Sequence, residues 1–454
     1  MSKNVHIIQK QRYEIRTTKQ RTAMDIQNMI GEINTHYILP ILAEKLDSYF
    51  LSDEVVTIDK LELDIGKIKS DASDDEWVKR IFENLDSKLR SRKVIENKNE
   101  RKQRERHLIE SWSFFLMSGL LPAGCIYKGL DEIKKELRTL NENGKELLRS
   151  FLFYELSDDV ITRLVANAEY EIIKIHLESF FPGVNIDWLN RRIGEAVLEI
   201  KDKTSASTTS ANFYSHMLWH HIIRYFIFNK DKINSKEEII QQLVTKTTKL
   251  KEIDRSNLPE LEEKDSIEKQ VHDLEKLTDE INDRSKEKES LFISNAGICL
   301  LTPWLPSFFK EAGLLIENNF IDKWKQQHAV YLLHYLVTYE DDPTEELLIF
   351  SKLLCGWPLQ MPVVNSYEIT EQEKNECYDL LRSVIENWKA LKNTSIEGLQ
   401  GSFLQRPGKL IEQENQFVLQ PEQQSIDLLL EYVPWTFRYT RLPWMKKAVE
   451  IEWY

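Results

Sequence analysis

Residues 245–290 set the strongest limit on what this chain can fold into. They are nearly all charged or polar, with apolar side chains only at scattered positions (Leu258, Leu261, Ile267, Val271, Leu274, Leu277 and Ile281). A stretch so poor in apolar surface cannot join a core, so the chain has to organise itself on either side of it. Within it, spacings of three, four and seven from Ile267 to Ile281 suit a solvated helix or a short coiled-coil strand, and Pro259 breaks any longer run. Beyond it the composition changes sharply. Seven of the eleven tryptophans fall after residue 300, which makes the C-terminal third the densest expected core.

Charge narrows the function classes. The 454 residues carry 61 Lys+Arg against 74 Asp+Glu, a net charge of −13. A general nucleic-acid binder needs a dominant basic field, so none is expected here. The one basic cluster (Arg90, Arg92, Lys93, Lys98, Arg101, Lys102, Arg104 and Arg106) is diluted by Glu96, Glu100 and Glu105. It lacks interleaved aromatic rings and reads as a solvated helix face. Cys125, Cys299, Cys355 and Cys377 lie far apart with no CxxC and read as reduced core residues, the pattern of a chain made in the cytoplasm. The first residues lack the apolar core of a signal peptide. The most apolar stretch, residues 113–126, falls short of the roughly 20 residues of a spanning helix, so no membrane insertion is expected.

Local patterns predict a mostly α, α+β protein in four parts. Residues 1–70 read as a β-α-β unit: a strand over 5–15, a helix from about Thr22 with the stripe Ile26, Ile30, Ile33, Tyr37 and Ile41, a kink at Pro40, and a bulged strand from Val55. Residues 71–200 read as a helical domain. Residues 201–290 hold a small polar linker (201–212), a helix containing Trp219, and the charged arm. Residues 291–454 form the Trp-rich domain, mainly helical, with a β-hairpin turning at Glu414-Asn415 and two terminal strands. In it, 329–337 reads as a buried helix, Asp342-Pro343-Thr344-Glu345 as a helix start, and Thr370 with Glu373 and Thr394 with Glu397 as capping boxes.

Chemical motifs are scarce. There is no P-loop, no GxG, no HExxH, no GxSxG and no EF-hand loop. His216 and His220 would share a helix face, but no third ligand lies within a turn, and the surroundings (Tyr214, Trp219, Tyr225, Phe226) read as a packing face. His334 reads as a core histidine and the Glu340-Asp341-Asp342 run as a helix cap. Cys355, followed by Gly356, reads as a helix end with no base nearby. No catalytic residue, metal site or cofactor is expected. The residues point to a non-catalytic assembly or binding protein.

Several strings occur together that resemble the tape measure protein family of contractile injection systems, the phage-tail-like particles of bacteria. They are ISNAGICLLTPWLPSFFKEAGLL (293–315), QHAVYLLHYL (327–336), EELLIFSKLLCGWPL (345–359), VIENWKALKNTSIEGLQGSFLQRPGKL (384–410), LPWM (442–445) and VEIEW (449–453). HIIQKQRYEI (6–15) and VVTIDKLELDIGKI (55–68) resemble the family's opening segment. The resemblance implies a structural protein incorporated into the particle, which helps set or terminate tube length by contacting tube, baseplate or cap proteins, with self-association open. Two other readings are a compact cap or baseplate adaptor without a ruler role, and a helical scaffold or chaperone for a secreted effector. Fully helical, the chain would reach about 680 Å, but its strands and breakers forbid that, which favours the adaptor. Interfaces concentrate their energy in aromatic anchors. The interaction candidates are therefore Trp435 and Trp444, each following a proline, with Trp304, Trp357 and Trp453.

The same division yields a test. Brief trypsin treatment is expected to cut first in 245–290 or 201–212, leaving a C-terminal block, 291–454, able to fold alone. First cuts inside 327–392 would show the boundaries to be misplaced.

Overall fold

The computed structural model describes residues 8, 11, 13, 29–49, 54–56, 61, 63–66, 73–95, 101–122, 125–152, 157–180, 184–203, 211–228, 236–252, 290–365 and 368–453. Most of the predicted first strand, the strand bulge after Ile58, the linker centre and most of the charged arm lie outside these residues. The chain forms two compact units, one of residues 1–114 and 121–152, the other of 115–120 and 153–454. It is mostly helical, with a mixed sheet near the C-terminus.

In the first unit, the helix leading to Pro40 contains a π turn at Asn34–Ile38 and continues as α1 (Leu39–Tyr49). Proline supplies no N–H and crowds the preceding turn. The widened turn answers this, with the Leu39 N–H donating to Asn34 O. Its extra residue also moves the buried position. Ile33 and Ile38 are buried while Tyr37, expected on the stripe, is exposed. Strand β1 (Glu54–Val56) pairs antiparallel with β2 (Arg101–Gln103), separated by α2 (Asp74–Ile95). Ile81, Phe82 and Leu85 of α2 close on Ile33 and Ile38, with Leu61, Leu63 and Ile65 against them. Arg90, Arg92 and Lys93 belong to α2, and Arg104 and Arg106 to α3 (Arg104–Ser118), as expected for helix residues. Helices α4 (Leu130–Leu137) and α5 (Glu142–Leu152) complete the unit.

The second unit begins with α6 (Asp158–Asn167), α7 (Tyr170–Phe180), α8 (Ile186–Lys203), α9 (Ala211–Phe228) and α10 (Lys236–Glu252). Their apolar faces meet in one cluster around Phe213, Leu218, Ile222 and Phe226. Next come β3 (Ser290–Ile293), α11 (Leu305–Glu311), the short hairpin β4 (Leu315–Ile316) and β5 (Asn319–Phe320), and α12 (Lys323–Thr338). As its pattern predicts, α12 is buried along most of its length. Helices α13 (Ile349–Leu354), α14 (Glu371–Asn387) and α15 (Ile396–Leu399) follow. Hairpin β6 (Gly408–Glu412) and β7 (Gln416–Pro421), then β8 (Tyr439–Thr440) and β9 (Ala448–Ile451), form with β3 a sheet of order β3-β6-β7-β9-β8. Only β7 and β9 run parallel.

Helix starts show where local signals hold. Thr370 and Glu373 form the expected reciprocal capping box of α14, and Leu380, Leu381, Val384, Ile385, Trp388 and Leu391 are buried as its stripe requires. The expected box at Thr394 is displaced by one residue: Ser395 caps α15, its Oγ accepting from Gly398 N–H at 3.1 Å. The start expected at Asp342-Pro343 is also displaced. A 3₁₀ turn begins at Glu345, and its N–H donates to Asn167 Oδ1 of α6 at 2.9 Å, so the cap comes from a distant helix. After α13, Gly356 turns left-handed (φ 68°) at the predicted helix end beside buried Cys355.

Buried histidines make this unit acid-sensitive. Burial holds His176, in α7, down to about 3 and His216, half-buried in α9, down to about 4, although Asp342 pulls His216 partly back up. A histidine neutral when folded, yet protonated below about 6.5 when unfolded, favours unfolding as pH falls below that value, and the loss levels off near the folded value. For His176 the loss at pH 5 is about 2 kcal/mol. Denaturant midpoints are expected to fall between pH 7 and pH 5, and His176→Leu should flatten that decline. An unchanged slope in the variant would refute the assignment.

Candidate functional site

Two constructions in the second unit place its special side chains. The first is ionic. Arg163 stands in the apolar run VITRLVAN of α6 and Lys352 in LIFSKLLCG of α13, and both are fully buried. Glu345, 1% exposed, joins them. Its Oε1 accepts from Arg163 Nε at 3.2 Å and from Lys352 Nζ. The remaining donors find backbone carbonyls. Arg163 donates to Leu116 O (2.9 Å), Met117 O (2.8 Å) and Gln360 O, and Lys352 to Met361 O (2.9 Å) and Leu359 O (3.3 Å). Asn167 closes the set, donating to Arg163 O at 3.0 Å while accepting from the Glu345 N–H. Burial pushes the Lys352 ammonium below its usual range, and Glu345 pulls against that shift.

Gly119 shows how tightly the cluster is enclosed. Its backbone is left-handed (φ 73°), and a Cβ there would lie 2.6 Å from Glu345 Oε1 and 3.0 Å from Arg163 Nε. A side chain is excluded both by conformation and by space.

The second construction is aromatic and includes every predicted tryptophan. Trp304 and Trp435 are half-buried and meet edge to face, centroids 4.4 Å apart, and the Trp435 indole N–H donates to Leu300 O at 3.0 Å. Trp444 is half-buried against Phe309 and Phe320, and donates to Leu354 O at 2.8 Å. Trp357, also half-buried, donates to Pro362 O at 3.2 Å. Trp453 differs. It is buried, lies under the Arg406 guanidinium, and donates to Asp427 Oδ2 at 3.1 Å. Asp427 in turn pairs with Arg406 at 3.0 Å.

A family model for contractile injection system tape measure proteins matches residues 5–453. The chain belongs to the contractile injection system tape measure protein family. No curated protein and no solved structure matches it. It is therefore a structural component of such a particle, associated with other particle proteins. Among the described residues no group of three or more His, Cys, Asp or Glu is arranged to hold a metal, and no helix is long and apolar enough to cross a membrane. His220 lies 3.9 Å from Asp158, His334 bonds Glu340 at 3.3 Å, and the four cysteines are free.

Sequence reasoning did not single out Arg163, Lys352 or the Arg406–Asp427 pair, and it read Glu345 only as part of a helix start. The available signal was a basic residue interrupting an apolar run, as at Arg163 and Lys352. Removing one partner of a buried ion cluster typically costs about 3–5 kcal/mol, because the other charges remain buried. Glu345→Gln is expected to lose that much by denaturant titration. Lys352→Met, which replaces the ammonium with an apolar side chain of similar size and leaves Glu345 paired with Arg163, should lose markedly less. Equal small losses would mean that the cluster is open to water.

Proposed function

We propose that this tape measure family protein acts as a folded end-piece of the tube, helping set or terminate its length through a protein contact, and not as a stretched ruler. The observation that carries this reading is the state of the tryptophans. Trp435, Trp444 and Trp357 are half-buried residues whose indole N–H groups are held by backbone carbonyls. A ring whose polar handle is already satisfied loses little freedom on docking, which suits an interface anchor. The helices support the same reading. The longest one described, α2, has 22 residues and extends only about 33 Å.

Particle length is the measurement that would separate a ruler from an end-piece. Residues 253–289, as a helical ruler, would account for about 55 Å of tube. An in-frame deletion of 253–289 is expected to leave the length of assembled particles unchanged. Shortening by about that amount would establish a ruler instead. For the contact itself, Trp435→Ala in a chain whose circular dichroism is intact should give missing, unsheathed or length-variable particles, with Trp435→Phe restoring part of the yield. Normal particles with the alanine variant would remove Trp435 from the interface.

A further inference from the structure

The C-terminal sheet ends on β3, and that edge is open. Ser290, Leu291, Phe292 and Ile293 pair antiparallel with Ile411, Leu410, Lys409 and Gly408 of β6, and among the described residues no strand pairs with their other side. In such a pair, alternate residues turn their N–H and C=O groups away from the partner. Ser290–Ile293 make no hydrogen bond beyond the β6 ladder, so half of them present unpaired main-chain groups along the edge.

The side chains leave the edge equally unguarded. Sheet edges are normally blunted by charge, proline, a bulge or brevity. The opposite edge follows that rule: β8 has two residues, Tyr439 and Thr440, with Arg438 and Arg441 beside them and Pro443 soon after. By contrast, β3 has four uncharged residues, no proline, and an unbroken register with β6. Leu291 continues the buried row of Leu410, Leu419 and Ile451, yet is itself only half-buried where the row ends. Phe292 lies on the other face of the sheet, beside Lys409, and is 64% exposed. A strand added here would extend the core row past Leu291 and cover the flank of the Phe292 ring.

We infer that β3 receives an extended segment of another particle protein, which joins the five-stranded sheet as a further strand. The edge dictates the chemistry of that segment. Main-chain hydrogen bonds supply the affinity, and apolar side chains at alternate positions continue the Leu291 row. The segment carries no net negative charge, because this chain has a net charge of −13. A second copy of the chain fits less well. Two such short strands joined edge to edge cover far less than the roughly 1,200 Å² of a stable interface, and the copies repel each other. The edge shares no residue with Trp435 or the other half-buried tryptophans, so either proposal can fail without the other.

The test uses the full-length protein and a fluorescein-labelled peptide of alternating valine and threonine with a lysine at each end, read by anisotropy. The peptide should bind and should slow amide hydrogen exchange in residues 290–293. The same peptide N-methylated at every amide, which cannot form the ladder, should bind at least about tenfold more weakly. Phe292→Lys, at an exposed position, should weaken binding about fivefold with circular dichroism unchanged. Tyr439→Lys, on the opposite edge, should leave binding as it is. Equal binding of the methylated peptide, wild-type binding by Phe292→Lys, or unchanged exchange in 290–293 would overturn the proposal, as would no binding at all. A wild-type dimer in light scattering that Phe292→Lys returns to monomer would assign the edge to a second copy and overturn it too.

Discussion

The ion cluster around Glu345 is the constraint on which the second unit depends. Two cations share one carboxylate in a site closed to water, across a sequence separation of 182 residues between Arg163 and Glu345. Such an arrangement has little surplus stability, because desolvation offsets most of the Coulomb gain. Its effect is specificity. Arg163 bonds carbonyls at the end of α3 and in the loop after α13, so the three segments can meet in only one register. Gly119 is required by the same geometry. The left-handed turn there admits the carboxylate and guanidinium where any side chain would stand.

This dependence explains which parts of the fold were legible in the sequence. The capping box of Thr370 and Glu373 spans three residues and is decided locally, and the stripe of α14 follows from it. The hairpin at Glu414-Asn415 is equally local. The start at Asp342-Pro343 carried an equally good local signal, yet the helix begins later. Glu345 is drawn into the cluster, and Asn167 supplies the cap in place of a neighbouring side chain. Periodicity failed at Tyr37 for a related reason: Pro40 forces a wider turn, and one added residue rotates the next apolar side chain, Ile38, into the core. Arg163 and Lys352 were visible as charges within apolar runs, but nothing local identified their shared partner.

The tryptophans show the limit of reading a site from composition. Their density after residue 300 pointed correctly to a closely packed domain. It did not separate a ring that is core from one that is surface. Trp453 is enclosed by Arg406, Asp427 and Phe437, so truncating it would disturb the end of the sheet. Trp304 and Trp435 are half-buried and meet edge to face, with Trp435 also set against buried Trp388. Tertiary burial makes this distinction, and residue type alone cannot.

Charge governs how the protein can meet its neighbours in the particle. A chain of net charge −13 repels its own copies at long range, so close association needs either apolar contact or a cationic partner. The half-buried rings of Trp304 and Trp435, which meet edge to face with centroids 4.4 Å apart, suit the first. An apolar contact changes little with ionic strength, while a carboxylate–guanidinium contact weakens steeply with added salt. A contact built on such rings would hold at the ionic strengths that screen the chain's own charge, which suits an end-piece fixed at one place and is not required of a uniform ruler helix.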